Sequence, residues 1–439
     1  MRPIREIVGR KLFKDTAVYQ VGIFTSNVIL LITSIVLTRG LDVNNYGVYV
    51  KVIAIFNLLN ITNLFAGGNA IVNKIAEANA GKRYDDISEL IGYYLKVLLL
   101  IGLVIAIIGG AFGPLLAKLI YGRPLINTAV RLIFLTVLLN TFSGFAEAVL
   151  RGHRLMRHAV GLNVAQLVVR LALISASILM GYGITGVIVA HVLSAGVSSV
   201  IALVILARVR RSGDANFPGL SEIVVNMFCA PIRKYVGFAF LVSFDKYLMT
   251  LFRTIPIFLL GRLVAGDAAP GYFNLALHIV TALSACFLGL SKNILPYLSE
   301  LKGRYDIRMV RDRFLKITMF SGLVAIVIAG GFSLVAKYAV LFVYGSEWLP
   351  IVPLIYVLMG QYVLSGFGIA ANNFYIVEGR IRFAMVIKLV YLVIGFPVAV
   401  ILIRGYGEMG GAIYYSALVG LMMATYLVDI LYRIKKSHN

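Results

Sequence analysis

Long unbroken runs of apolar residues are the main pattern in this chain, in place of the helical or alternating periods of a soluble core. The stretches 98–112 and 389–403 contain no charged residue at all. A helix of about 20 apolar residues matches the hydrocarbon thickness of a bilayer. The pattern therefore predicts an all-α integral membrane protein and excludes a water-soluble one.

About twelve such spans can be placed along the chain, six in each half. They form two predicted lobes, 1–207 and 235–439, joined by a polar, basic linker at 208–234 that we expect to be cytoplasmic. We expect the two six-helix lobes to be pseudo-symmetric and to surround a central cavity. The predicted spans are 16–38, 46–66, 90–112, 127–149, 159–181, 184–207, 235–263, 271–297, 314–336, 349–376, 382–403 and 409–432.

Charge then gives the orientation. The 439 residues include only 14% charged residues, yet the formal net charge is +22. Lys and Arg crowd the predicted loops on the side of both termini, and the opposite side has only Arg39, Lys118, Arg123, Arg262, Lys337 and Arg404. Because cytoplasmic loops collect Lys and Arg, both termini of this multi-pass protein are predicted to be cytoplasmic, in the inner or plasma membrane. The excess charge reflects topology and contact with membrane lipids, and we expect no nucleic-acid partner.

The two halves of the chain repeat short motifs in the same order. Tyr121-Gly122 recurs as Tyr344-Gly345, and Ser143-Gly144-Phe145 recurs as Ser365-Gly366-Phe367. The segment 181–186, GYGITG, returns as 405–410, GYGEMG, and all three offsets are roughly 220 residues. Both halves begin on the same side of the membrane, which predicts parallel repeats of the kind found in transporters that work by alternating access.

Three segments resemble a known family. Thr38-Arg39-Gly40-Leu41 with Asn45-Tyr46-Gly47-Val48-Tyr49 is similar to the first external loop of Wzx-type polysaccharide flippases, in the multidrug/oligosaccharidyl-lipid/polysaccharide exporter superfamily. The segments 259–263 with 270–276, and 294–299, resemble the seventh and eighth spans of those proteins. The resemblance implies a twelve-helix, two-lobe transporter that flips a polyprenyl-pyrophosphate-linked oligosaccharide to the outer leaflet.

The same resemblance implies that the chain is not an enzyme and needs no cofactor, with glycosyltransferases or a polymerase of the pathway as candidate partners. The sequence has no G-x-x-x-x-G-K-[ST] loop for nucleotide phosphates, so coupling to a Na⁺ or H⁺ gradient is the energy source left open. Family members often carry an acid near the end of span two and another about one turn before the glycine of span seven. Here those regions contain Asn63 and Ile255-Pro256.

Charged residues inside predicted spans are the candidate substrate-binding groups, because an ion at bilayer depth is costly and usually faces a cavity or a partner. Span seven carries Asp245, Lys246 and Arg253, and the two cations are spaced to share one helical stripe. We interpret the cations as contacts for the pyrophosphate and Asp245 as their counter-charge, or as a carrier of a proton or cation. An internal ion pair that locks helices together is the alternative.

Arg170, Asn63 and Lys51 complete the candidate set. Arg170 lies in the middle of span five, where it either lines a cavity or pairs with Asp245 or Glu147. Glu147 is spaced to pair with Arg151 one turn away. For cations near span ends, snorkelling to the interface is the favoured interpretation. These are Lys51, Lys96, Arg131 and Lys388.

Other functions are weighed against the flippase. A cation-coupled multidrug or small-molecule antiporter of the same superfamily is the main alternative, but its site would be acidic, and these spans hold more cations than anions. A membrane-embedded polymerase would need carboxylates or large external loops. The peptidoglycan-precursor flippase branch resembles the chain but adds helices after the twelfth, so we expect the chain to lie outside it.

Overall fold

The apolar runs fold into long α-helices, because a backbone in hydrocarbon must satisfy its N–H and C=O groups within its own segment. The computed structural model describes residues 2–59, 68–122, 125–212, 220–284, 307–377 and 380–436, and these ranges contain no β-strand. A 3₁₀ turn, Ser346–Trp348, lies between the helices Ile307–Val343 and Ile351–Val377. The helices are α1 Arg2–Gly40, α2 Val43–Leu59, α3 Gly68–Ala80, α4 Tyr84–Tyr121, α5 Asn127–Ile133, α6 Leu135–Gly152, α7 Met156–Leu179, α8 Gly183–Ser212, α9 Leu220–Cys229, α10 Ile232–Leu263, α11 Ala268–Leu283, α12 Ile307–Val343, α13 Ile351–Val377 and α14 Ile381–Lys436.

These helices confirm the predicted membrane fold class. Within the described ranges, eight segments are long and apolar enough to cross a bilayer, and α2 and α11 are shorter apolar helices. The last of the eight, Arg382–Tyr432, is broken at Gly407 and so holds two predicted spans. Each of the twelve predicted spans overlaps a described helix, although 60–66 and 285–297 lie outside the described residues.

Large apolar side chains cover the outside of several helices. On α4 the exposed residues include Leu103 and Ile107, and on α12 they include Leu323, Val327 and Leu334. A soluble monomer rarely exposes such extended apolar surface, whereas lipid tails cover it at no cost. The exposed surface therefore agrees with a multi-pass membrane protein.

Packing divides the chain into two units. Unit 1 is Met1–Leu41 with Val52–Thr250, and unit 2 is Asp42–Lys51 with Leu251–Asn439. In unit 1, α7 packs against α1 and α8, and α6 packs against α8; in unit 2, α13 packs against α11, α12 and α14. The predicted lobe and linker boundaries at 207 and 235 stay a prediction, because this grouping follows packing and not the course of a linker.

The predicted linker contains α9, which packs on α4 within unit 1. The Ser88 hydroxyl donates to the Glu222 carboxylate at 2.6 Å. Lys96 Nζ donates to the carbonyl oxygens of Phe228 and Ala230, at 3.0 and 3.3 Å, where the C-terminal end of α9 attracts a cation. Lys96 therefore binds a helix terminus instead of snorkelling as expected.

Four glycines confirm the internal repeat at the level of the backbone. Gly122 and Gly345 follow the long helices α4 and α12 with φ of 70° and 103°. Gly183 and Gly407, the matching third residues of the two GYG motifs, have φ of 57° and 56°. Glycine adopts positive φ without the Cβ clash that other residues suffer. The repeated motifs therefore place a positive-φ glycine at two matching positions of each half, although the turns themselves differ, since ψ is 2° at Gly122 and 172° at Gly345.

Candidate functional site

Helix α10 carries the three charged residues predicted inside span seven. Asp245 is half-buried and Lys246 is exposed, and both lie in unit 1. Arg253 lies in unit 2, where its guanidinium donates to the Thr281 hydroxyl at 2.9 Å and its charge acts on His278. The structure thus places all three groups on one helix, and their role in binding stays a prediction.

Lys51 contradicts the snorkelling expected from its place near a span end. Its side chain is completely buried and forms an ion pair with Asp267, whose side chain is 29% exposed. Asp267 immediately precedes α11, and both residues belong to unit 2. A buried ammonium group needs such a partner, because an unpaired charge away from water is strongly unfavourable. The contact of Lys51 with a substrate stays a prediction.

Two of the three motifs that carry the family resemblance pack against each other beside this ion pair. Asn274 donates from its side-chain amide to the Tyr46 hydroxyl at 3.3 Å, and the rings of Tyr46 and Trp348 meet edge to face at 5.2 Å. A Cβ on Gly271 would lie 3.1 Å from the Tyr46 ring, and a Cβ on Gly47 would overlap the backbone of Asp267. We call this group, with Lys51 and Asp267, the Tyr46 cluster.

Unit 1 contains a polar pocket that none of the predicted site residues lines. It has a volume of about 180 Å³ and lies between α1, α6 and α7. On α1 the lining residues fall on one helical stripe, because they follow Tyr19 by three, four, seven and eight positions. The polar side chains that line the pocket are Tyr19, Ser26, Asn27, Glu147, Arg151 and Asn163.

Arg151 is held in place at this pocket. Its guanidinium lies 3.4 Å from the Glu147 carboxylate one helical turn away, which confirms the predicted pair. The guanidinium carbon also lies 5.9 Å from the centre of the Tyr19 ring, within cation–π range. The positive charge of Arg151 acts on the Lys246 ammonium, which puts the two cations within electrostatic range of each other in unit 1. Sequence spacing alone does not reveal that proximity.

Arg170 and Asn63, the remaining candidates, have different outcomes. Arg170 is half-buried on α7, and its charge acts on His191 of α8. One turn before it, Gln166 donates to the Asn140 side chain at 3.2 Å, so polar groups join α6 and α7 here. Asn63 lies outside the described residues. A substrate-binding role for either residue stays a prediction.

The burial of two further cations near span ends also tests the snorkelling hypothesis. Lys388 is buried, with 4% of its surface exposed, whereas Arg131 is exposed. Snorkelling therefore fits Arg131 and is wrong for Lys388. Among the residues that the structure describes, no group of three or more His, Cys, Asp or Glu side chains could hold a metal ion.

The fold defines the class of protein. An inward-facing multidrug resistance MATE family transporter of the MOP superfamily shares it at 16% identity, with 94% of this chain and 95% of that chain covered and a TM-score of 0.76. An outward-facing MATE structure has a TM-score of 0.68 over 96% of both chains, also at 16% identity. A MOP superfamily transporter from Pyrococcus furiosus, described as having a binding pocket of reverse polarity, has a TM-score of 0.69 at 15% identity, covering 98% of this chain and 96% of that one. This chain therefore has the twelve-helix MATE fold.

The particular family follows from the sequence. The chain belongs to the polysaccharide biosynthesis protein family, which it matches over residues 12–302. A comparison with curated proteins finds no match. The family resemblance expected from the three motifs is thus confirmed, and the protein is a multi-pass membrane protein with the fold of known transporters.

Proposed function

We propose that the protein flips a polyprenyl-pyrophosphate-linked oligosaccharide from the cytoplasmic to the outer leaflet of the cell membrane, for the synthesis of a surface polysaccharide or glycan. The observation that carries the proposal is the polysaccharide biosynthesis family match, in a chain with a transporter fold. Cations inside the helices add support, because a cationic wall favours an anionic substrate. The proposal includes cytoplasmic termini in an inner or plasma membrane.

The cations have a direct chemical task in this proposal. Lys246 near Arg151 in unit 1, and Arg253 in unit 2, present N–H donors that form charge-assisted hydrogen bonds with phosphate oxygens. Asp245 balances the neighbouring charge when no substrate is bound. The lipid tail stays in the bilayer while the headgroup crosses by alternating access, and substrate binding shifts the equilibrium between the two states through its different affinity for them. Arg170, Lys51 and Asn63 are further proposed contacts.

A cation-coupled multidrug antiporter is the second candidate. The specific observation in its favour is the shared fold with multidrug MATE transporters, at identities of 16% that carry no substrate information. Such a transporter needs acidic groups for a cationic drug. The cations of α10 outnumber its acids, and this favours the flippase.

The test is leaflet exchange of a fluorescent polyprenyl-pyrophosphate oligosaccharide in liposomes that contain the purified protein. We expect exchange by the wild type and at least a tenfold slower rate for Lys246→Ala and for Arg253→Ala, because each loses a hydrogen bond to a charged group worth about 1.5–3 kcal/mol. Arg170→Ala is measured in parallel. Arg131→Ala is the matched control, since it removes an exposed cation of the same kind.

Two results would contradict the proposal. The first is absence of exchange by folded wild-type protein, with or without a Na⁺ or H⁺ gradient, combined with efflux of cationic drugs from the same liposomes. The second is unchanged exchange in both α10 variants, which would remove these cations from the substrate path.

A further inference from the structure

The pocket of unit 1 is too small for a whole lipid-linked glycan. Its volume is about 180 Å³, whereas pockets that enclose a drug-sized molecule measure about 300–1,000 Å³. A pocket of this size admits one ring or one headgroup fragment. Six of its ten lining residues carry polar or charged side chains.

The side wall offers unused hydrogen-bonding capacity. The Ser26 hydroxyl donates to the Asn163 side-chain oxygen at 2.9 Å, which leaves the N–H groups of the Asn163 amide to donate elsewhere. Among the described residues none forms a hydrogen bond with the half-buried Asn27. A carboxamide both donates and accepts, as hydroxyl groups do. Two such groups on facing helices suit a polyhydroxylated ring better than an ion or an apolar ligand.

The charged end of the pocket indicates which part of a substrate lies next to it. The ion pair with Glu147 and the cation–π contact with Tyr19 orient Arg151. The charge of Arg151 also acts on Lys246. Two neighbouring cations attract the phosphates of a headgroup. A ring bonded directly to those phosphates would then reach the carboxamides, because Arg151 and Asn163 line the same pocket.

The internal repeat provides an independent argument. Counting from the matched Ser143-Gly144-Phe145 and Ser365-Gly366-Phe367 motifs, Glu147 corresponds to Ile369 in the second half. Counting back from the matched Gly183 and Gly407, Asn163 corresponds to Ile387. The scaffold therefore forms these helices with apolar residues at the same positions. The polar groups at Glu147 and Asn163 are therefore specific to unit 1, and polar groups that the scaffold does not need at these positions point to a ligand.

We propose that this pocket binds the sugar ring attached to the pyrophosphate, with Asn27 and Asn163 as hydrogen-bonding partners of its hydroxyl or N-acyl groups. The inference rests on the proposed flippase function and deepens it: the pocket gives the transporter a preference for glycan-bearing lipid over the same lipid without sugar. Tyr19 contributes an aromatic face at the edge of the ring.

The test compares two probes, undecaprenyl pyrophosphate bearing one N-acetylglucosamine and undecaprenyl pyrophosphate alone, by equilibrium binding to the full-length protein in nanodiscs. Asn27→Leu and Asn163→Leu replace a carboxamide by an apolar group of similar size. We expect each variant to bind the sugar-bearing lipid about tenfold more weakly, the effect of one lost hydrogen bond of about 1.4 kcal/mol, and to bind the sugar-free lipid as the wild type does. The sugar-free lipid thereby reports correct folding.

Asn140→Leu is the matched control, because Asn140 joins α6 to α7 through Gln166 and does not line the pocket. Equal weakening for both lipids, or the same selective loss in Asn140→Leu, would overturn the pocket assignment and leave the proposed function intact. Wild-type protein that binds neither lipid would instead overturn the proposed function, and the inference with it.

Discussion

The two halves of the repeat share positive-φ glycines at matching positions but not their polar chemistry. Gly122 and Gly183 in unit 1 adopt positive φ, as Gly345 and Gly407 do in unit 2. The polar positions differ: the pocket of unit 1 keeps carboxamide groups with spare hydrogen-bonding capacity, whereas the Tyr46 cluster of unit 2 pairs its buried charge. The positive-φ glycines are thus common to both halves, while the polar side chains differ.

This difference separates two roles for polar groups inside a membrane helix. Lys51 is completely buried against Asp267, and Gly47 and Gly271 lie where the two helices of this cluster touch. Such a pair serves stability, because breaking it leaves a charge without a partner. Asn27 and Asn163 leave room and capacity for a ligand. We therefore expect substitutions in the Tyr46 cluster to change stability and substitutions in the pocket to change binding.

The largest stability effect is expected at the buried ion pair. Lys51→Met keeps the apolar stem but leaves Asp267 unpaired, and should cost about 3 kcal/mol, the lower end for a buried pair because Asp267 is partly exposed. Unfolding of the purified protein in mixed micelles with increasing SDS measures the free energy of unfolding.

The double variant Lys51→Met/Asp267→Asn sharpens this test. It removes both charges, so we expect it to recover most of the loss, as when a buried pair is replaced by neutral groups. Additive losses from Lys51→Met and Asp267→Asn would show that the two residues are not energetically coupled, and would remove the contrast with the pocket. A Lys51→Met variant of wild-type stability would do the same.

A smaller effect is expected where the two helices of the Tyr46 cluster touch. Gly47→Ala introduces a Cβ that overlaps the Asp267 backbone, so it should destabilise the protein by about 1–3 kcal/mol. Gly161→Ala on α7 is the matched control, because no atom lies within 4 Å of its added Cβ. There alanine should be neutral or stabilising by up to about 1 kcal/mol, through its higher helix propensity. The same SDS titration compares them, and equal effects would contradict the close packing.

The sequence predicts local features of this protein well. The spans follow from composition, the repeated turns from glycine motifs, and the Glu147–Arg151 pair from a spacing of one helical turn. The excess of cations in the predicted loops on one side of the membrane can also be read from the sequence without a structure. All these depend on residues that are close in the chain.

Features that join distant segments could not be predicted. Lys51 and Arg131 both occur near predicted span ends, yet one is buried and the other exposed, because only Lys51 meets an acid more than 200 residues away in the chain. Asn27 and Asn163 are two of many polar residues in the spans, and only the packing of α1 on α7 brings them to one pocket. The sequence does show an acid, Asp267, in the short loop before α11, but it does not identify Lys51 as the partner of that acid.

The smallest effect tests whether the shared turns matter equally in both halves. Gly183→Ala and Gly407→Ala meet no atom within 4 Å, so their cost is backbone strain alone, about 1–2 kcal/mol, at the lower end for a residue in a sparsely populated φ/ψ region. Gly405→Ala is the matched control, because it has the same open surroundings without a positive φ. SDS unfolding should give similar losses for the two test variants and none for the control. A loss confined to one half would mean that the repeat retains a motif whose conformation now matters in only one unit, and polar chemistry would then not be the only property in which the halves have diverged.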